Sequence, residues 1–163
     1  MPTGRIYEFS LPDIDGRPKA FADYRGKVLL LVNVASQCGF TPQYTDLEAL
    51  AKAYRDRGLA VLGFPANNFG AQEPGTDAEI KQFCTTRYQV DFDLFAKISV
   101  KGDDIHPLYK YLTTEAGVDG DVKWNFAKFL VDRHGTVVAR YASSTKPFDP
   151  VLVARIEELL AAN

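Results

Sequence analysis

The stretch "KVLLLVNVASQCGFTPQYTDLEALAKAYRDRGLAVLGFP", residues 27–65, opens with "KVLLLVNVA" (27–35) and closes with "LAVLGFP" (59–65). Both are short, nearly unbroken aliphatic runs, the pattern of strands covered on both faces of a sheet. Between them Tyr44, Leu47, Leu50, Ala51 and Tyr54 recur at helical spacing. Thr41 is the expected N-cap, Pro42 the first helical residue and Gly58 the stop. The stretch therefore reads as a strand–helix–strand unit with parallel strands. Cys38 falls where the first strand gives way to the helix.

The same reasoning extends along the chain. "GTDAEIKQFCTTRY" (75–88) carries a capping-box pair, Thr76 with Glu79, and then Ile80, Phe83 and Cys84 on one helical face. "HPLYKYLT" (106–113) and "DPVLVARIEELLAA" (149–162) each place proline at a helix start. "KFLVDRHGTVVARYA" (128–142) reads as an antiparallel hairpin turning at Gly135, and "IYEFSLPDIDGRPKAF" (6–21) as another. The result is an α/β chain whose central mixed β-sheet is flanked by helices, for which the thioredoxin-like fold is the candidate.

At 163 residues, with no repeat or low-complexity linker, the chain is expected to form one domain over 1–163. Hydrophobic residues at 46% and charged residues at 25% match ordinary globular usage. Nineteen basic against twenty-one acidic residues, with no Lys/Arg stripe, argue against nucleic acid as a partner. The start "MPTGRIYEFS" lacks a signal-peptide apolar core and no run approaches a bilayer span. A cytoplasmic protein with no stable membrane association is expected. His106 and His134 read as surface residues without ligand spacing, no phosphate-loop or GxGxxG pattern occurs, and no metal or cofactor is called for.

Two cysteines cannot make a disulfide framework, but they can make a transient, catalytic bridge. In such sheets chemistry collects beyond the carboxyl ends of the strands, beside helix N-termini, and Cys38 lies there. The thiolate is the nucleophile, and a helix N-terminus contributes only ~0.3–1 kcal/mol toward stabilising it. No Lys or Arg occurs between Val28 and Ala51, so further donors must come from distant segments. "FPANNFGAQEPG" (64–75) offers Gln72, and "WNFAKFLVDRHG" (124–135) offers Trp124 and Asn125. Both amides and the indole N–H can donate to a thiolate or to a leaving hydroxide.

The blocks "NVASQCGFT" (33–41), "LGFPANNFGAQEPG" (62–75) and "WNFAKFLVDRHG" resemble the signature blocks of the glutathione peroxidase family in its cysteine form. The resemblance runs from about Tyr7 to Leu160. It implies a thioredoxin fold, an antioxidant thiol peroxidase active in the response to oxidative stress, and a catalytic tetrad on Cys38, Gln72, Trp124 and Asn125. "EIKQFCTTRYQVDF" (79–92) resembles the family helix bearing a resolving thiol, which falls on Cys84. The substrate implied is a hydroperoxide, hydrogen peroxide or an organic one including lipid species. Thioredoxin, with glutathione as the other choice, is the implied reductant. A Cys38–Cys84 disulfide requires Cα atoms within about 7 Å, which implies local unwinding of that helix.

Cys84 also suits plain packing on an apolar face. A peroxide sensor passing oxidation to a partner protein would use the same residues, whereas a dithiol oxidoreductase would want a second cysteine where Thr41 stands. Asn68 stands where the family usually has Gln, and Asp93 where it usually has Pro. The short segment 101–123 lacks the insertion through which tetrameric members associate, so a monomer is expected. The arginines of glutathione-using members are not evident either.

Overall fold

In the computed structural model, which describes residues 4–162, the two aliphatic runs form β3 (Val28–Val34) and β4 (Leu59–Pro65). Residues 1–3, the first of the start expected to lack a signal peptide, and residue 163 lie outside the described residues. The two strands pair in parallel, with Val28 opposite Leu59 and Val34 opposite Pro65. β3 is buried at every position because alternate side chains enter two different cores. Leu29 and Leu31 join one hydrophobic cluster, while Val28, Leu30, Val32 and Val34 join the other.

The full sheet has the order β5-β4-β3-β6-β7, where β5 is Asp93–Leu94, β6 is Lys128–Val131 and β7 is Val137–Tyr141. β5 runs parallel to β4, while β6 pairs antiparallel with β3 and β7 antiparallel with β6. A separate antiparallel hairpin joins β1 (Ser10–Pro12) to β2 (Pro18–Ala20). The mixed sheet expected from the sequence is present.

One core packs Phe21, Phe64, Phe95, Tyr109 and Phe129 between the sheet, the N-terminal segment and α3 (Pro107–Thr114). The other packs α1 (Gln43–Tyr54), α2 (Asp77–Tyr88) and α4 (Pro150–Ala161) against the opposite face through Tyr44, Leu47, Ile80, Leu152 and Ile156. α2 begins with the expected capping box, in which Thr76 accepts from Glu79 N–H and the Glu79 carboxylate accepts from Thr76 N–H. Asp149 caps α4 by accepting from Val151 N–H.

Four local expectations change. Thr41 does not cap α1, whose N-cap is Pro42 without a side-chain bond; its hydroxyl is used inside the Cys38 turn instead. Residues Arg5–Glu8 form a 3-10 turn rather than the start of a hairpin strand. α1 ends at Tyr54, and one 3-10 turn intervenes before Gly58, which adopts φ +110. His106 and His134 are half-buried rather than exposed, and His106 caps α3 by accepting Leu108 N–H at Nδ1. Asp93, at the position usually held by proline, starts β5 and accepts a 2.5 Å hydrogen bond from the Tyr24 hydroxyl, so it fixes a strand edge.

Candidate active site at the end of the third strand

The Cys38 turn is built by Thr41. Its hydroxyl accepts from Cys38 N–H at 2.9 Å and donates to Ala35 C=O at 2.8 Å, and its N–H donates to Cys38 C=O at 3.0 Å. These bonds satisfy buried backbone groups that a strand-to-helix reversal would otherwise leave open. The turn holds Cys38 buried, at 7% exposure. Phe40 N–H donates to Cys38 Sγ at 3.3 Å, so the turn itself aims one backbone donor at the sulfur.

The second block arrives on the loop after β4. Gln37 N–H donates to Gln72 C=O at 3.0 Å, which ties this loop to the residue preceding Cys38. The loop reverses through Gly70 at φ +65 and Ala71 at φ +52. Gly70 has little freedom to be anything else: a Cβ there would sit 3.3 Å from Trp124 Cη2 and 3.4 Å from Gln72 Nε2. Gln72 and Trp124 therefore close over the same glycine. Phe69 supports the indole from the side, with ring centroids 5.7 Å apart.

The third block is clamped by Asn33 on β3. Asn33 Nδ2 donates to Trp124 C=O at 3.0 Å, and Asn33 C=O accepts from Phe126 N–H at 2.6 Å. This holds Phe126 at φ +66, an unfavourable conformation for an aromatic residue, and swings Asn125 inward. Asn125 is fully buried and its Nδ2 donates to Gln72 Oε1 at 3.0 Å. That bond leaves the Gln72 amide nitrogen and the second Asn125 proton as donors. Trp124 is 36% exposed and borders a cleft of about 490 Å³ that Phe40, Lys123, Tyr141 and Ser143 also line.

Thus Gln72 and the adjacent pair Trp124 and Asn125, from two blocks distant in sequence, form one interlocked group tied to the Cys38 turn. The hydrogen bond to Cys38 Sγ comes from Phe40; the two amides and the indole bond to one another or stand free of the sulfur. Cys84 is elsewhere on the same core, two turns into α2 and fully buried, and both cysteines are free thiols. Burial pushes the Cys84 thiol up to about 11; the Tyr44 hydroxyl partly offsets this and the Glu73 carboxylate adds to it.

Several residues at the site gave no sequence signal of their own. Asn33 and Thr41 sit in the quoted block but read as strand and cap. Glu73 follows Gln72, is 1% exposed, and accepts from Ser36 N–H at 3.2 Å. Lys128 is a fully buried lysine whose Nζ donates to Gln43 Oε1 at 2.8 Å, Phe126 C=O at 2.7 Å and Ser143 C=O at 3.4 Å. A lysine inside "FAKFLV" was the one available cue. Among the described residues no cluster of His, Cys, Asp and Glu could hold a metal, and no helix is long and apolar enough to cross a membrane.

A thiol on the strand-to-helix turn at the end of a central strand, in a five-stranded mixed sheet flanked by helices, defines a protein of thioredoxin-like fold. A thioredoxin-family thiol:disulfide interchange protein from Chlorobium tepidum shares that fold at TM-score 0.71 and 18% identity, over 99% of this chain and 98% of the other. The family model for glutathione peroxidase matches residues 6–113. The hydroperoxy fatty acid reductase gpx1 of Synechocystis is 55% identical over 95% of each chain. The glutathione peroxidase-like peroxiredoxin HYR1 of Saccharomyces cerevisiae is 52% identical over 95% of this chain and 96% of its own. The crystal structure of apo Trgpx superimposes at TM-score 0.78 with 39% identity, over 96% and 95% of the two chains. The chain belongs to the glutathione peroxidase family, in the form with cysteine at the reactive position, and is an oxidoreductase of the peroxidase class.

Proposed function

We propose that Cys38 is the peroxidatic thiol and that Gln72, Trp124 and Asn125 stabilise its thiolate and the departing oxygen. The observation that carries this reading is the closure of two distant blocks on the cysteine turn: Gln37 N–H holds Gln72 C=O, and Gln72 Oε1 holds Asn125 Nδ2. The thiolate attacks one peroxide oxygen, the O–O bond breaks, and Cys38 becomes a sulfenic acid while water or an alcohol leaves. Cys84 then condenses with it, α2 loosening to expose the thiol, and a dithiol reductant of the thioredoxin type restores both cysteines. The open cleft beside Trp124 has room for an acyl chain, so fatty-acyl hydroperoxides join hydrogen peroxide as substrates. The setting is the cytoplasm, and the working unit is a monomer.

The test is NADPH-coupled turnover with thioredoxin and glutathione systems side by side. Cys38→Ser should abolish peroxide consumption. Cys84→Ser should keep the first oxidation yet lose turnover with thioredoxin. Undiminished turnover by Cys38→Ser would overturn the assignment.

A further inference from the structure

Lys128 opens β6 and pairs through its backbone with Val32 on one side and Tyr141 on the other, inside the sheet. Its side chain shares a face with Leu130, two residues on, which packs in the core beneath α1, α2 and α4. An apolar side chain would suit that place, and a buried amine is tolerated only where its protons find acceptors. Lys128 Nζ finds them on three separate segments. Gln43 Oε1 belongs to the first residue of α1, Phe126 C=O to the residue after Asn125, and Ser143 C=O to the loop after β7. Gln43 closes the arrangement by donating from Nε2 to the same Ser143 C=O at 2.8 Å.

Each of these segments carries part of the candidate site. Gln43 N–H donates to Phe40 C=O at 2.8 Å, and Phe40 N–H is the donor at Cys38 Sγ. Phe126 stands at φ +66, a conformation that persists only where the surroundings impose it. Asn33 C=O takes the Phe126 N–H and Lys128 Nζ holds the Phe126 C=O, so both backbone groups of that residue are fixed. The course of the chain at Phe126 sets where the neighbouring Asn125 amide points. Ser143 and Phe40 line the cleft beside Trp124. We propose that Lys128 is a positioning residue for peroxide reduction: its Nζ sets the spacing between the Cys38 turn and Asn125.

The inference rests on the reading of Cys38 as the peroxidatic thiol. Lys128 touches no reacting atom. It acts through Phe126 on one side and through Gln43 and Phe40 on the other, and so fixes how far the Asn125 amide stands from the sulfur before peroxide arrives. Donors aimed at a departing oxygen work only when placed in advance, and a displacement of about 1 Å can cost on the order of 10²-fold in rate. The effect therefore falls on the first oxidation.

The test is single-turnover oxidation of the full-length protein by hydrogen peroxide, quenched with an alkylating agent and read by mass spectrometry as loss of the free Cys38 thiol. Lys128→Met keeps the bulk of the side chain without the three bonds, and should slow this oxidation by roughly ten- to a hundredfold. Repeating the substitution in Asn125→Ala separates positioning from general loosening. With the amide gone there is nothing left to place, so Lys128→Met should then change the rate by less than about threefold, whereas a merely structural role gives the same loss in both backgrounds. Gln43→Ala removes only the α1 end of the bridge. It should lose roughly three- to tenfold on the same pattern, and carries the test if Lys128→Met does not fold. A smaller loss in the otherwise unaltered protein, or a loss that exceeds about threefold in Asn125→Ala, overturns the proposal. Failure of peroxide to consume the Cys38 thiol of the unsubstituted protein would instead take down the peroxidatic role beneath it.

Discussion

Lys128 is the residue whose place is hardest to foresee and whose consequence is easiest to measure. A lysine in an unfolded chain titrates near 10.4. Burial on β6 pulls this one down to about 7, even though three oxygens accept from its Nζ. Its folded-state value is lowered, so between about pH 7 and about pH 10 the unfolded chain binds more protons than the folded one. Its contribution to stability therefore improves as pH rises through that window, by at most ~1.4 kcal/mol per pH unit. Cys84, raised to about 11, acts the other way above the ordinary thiol value near 8.5, because the unfolded chain loses that proton first. Urea unfolding of wild type and Lys128→Met separates the two, since Cys84 is common to both. The variant should be destabilised by ~1–3 kcal/mol for the acceptors it leaves unpaired, and the gap should widen from pH 7 to pH 9. Parallel stability curves would refute the neutral, buried amine.

At the scale of elements, the strands and helices were legible because hydrophobic period and caps agree. β3 and β4 read as doubly covered strands, and Thr76 with Glu79 announces the start of α2. The identities of Cys38, Gln72, Trp124 and Asn125 came from block patterns. Their supports did not, because Asn33, Thr41 and Lys128 act through bonds across 3 to 91 residues of chain that no local period encodes. β5 was missed because a two-residue strand shows no alternation. α2 itself is a light element: only Ile80 and Cys84 are buried along its twelve residues, and it ends on Gln89 at φ +51. Its capping box thus carries an unusual share of its stability. Removing it with Thr76→Ala should cost ~1 kcal/mol, which raises the open fraction of the helix about fivefold. Amide exchange over residues 80–88 should quicken by that factor. Disulfide formation should quicken with it if α2 must loosen to release Cys84. Faster exchange with an unchanged disulfide rate would show that opening does not limit resolution.

For the molecule as a whole, two cores on the two faces of one sheet leave little apolar surface to share. The large hydrophobic residues exposed among the described residues are Trp124, Phe148 and Val151. Trp124 belongs to the rim of the candidate site. Phe148 and Val151 stand at the start of α4, and two side chains fall well short of the roughly 1,000 Å² that a stable interface buries. The segment between Val100 and Val122, where an insertion could have built a subunit contact, folds instead into the short α3 and a turn held by Arg140, which donates to Val118 C=O and Gly120 C=O. The family resemblance points to a monomer through a missing insertion, and the proposal of a monomer takes the small exposed apolar area as its support. Sedimentation velocity should give one species with the mass of a single chain across the micromolar range. The same result should hold after one equivalent of peroxide, since both thiols lie in one core of one chain. A dimer that appears on oxidation and disappears with reductant would mean that Cys38 meets a cysteine of another chain, and the intramolecular route through α2 would have to be abandoned.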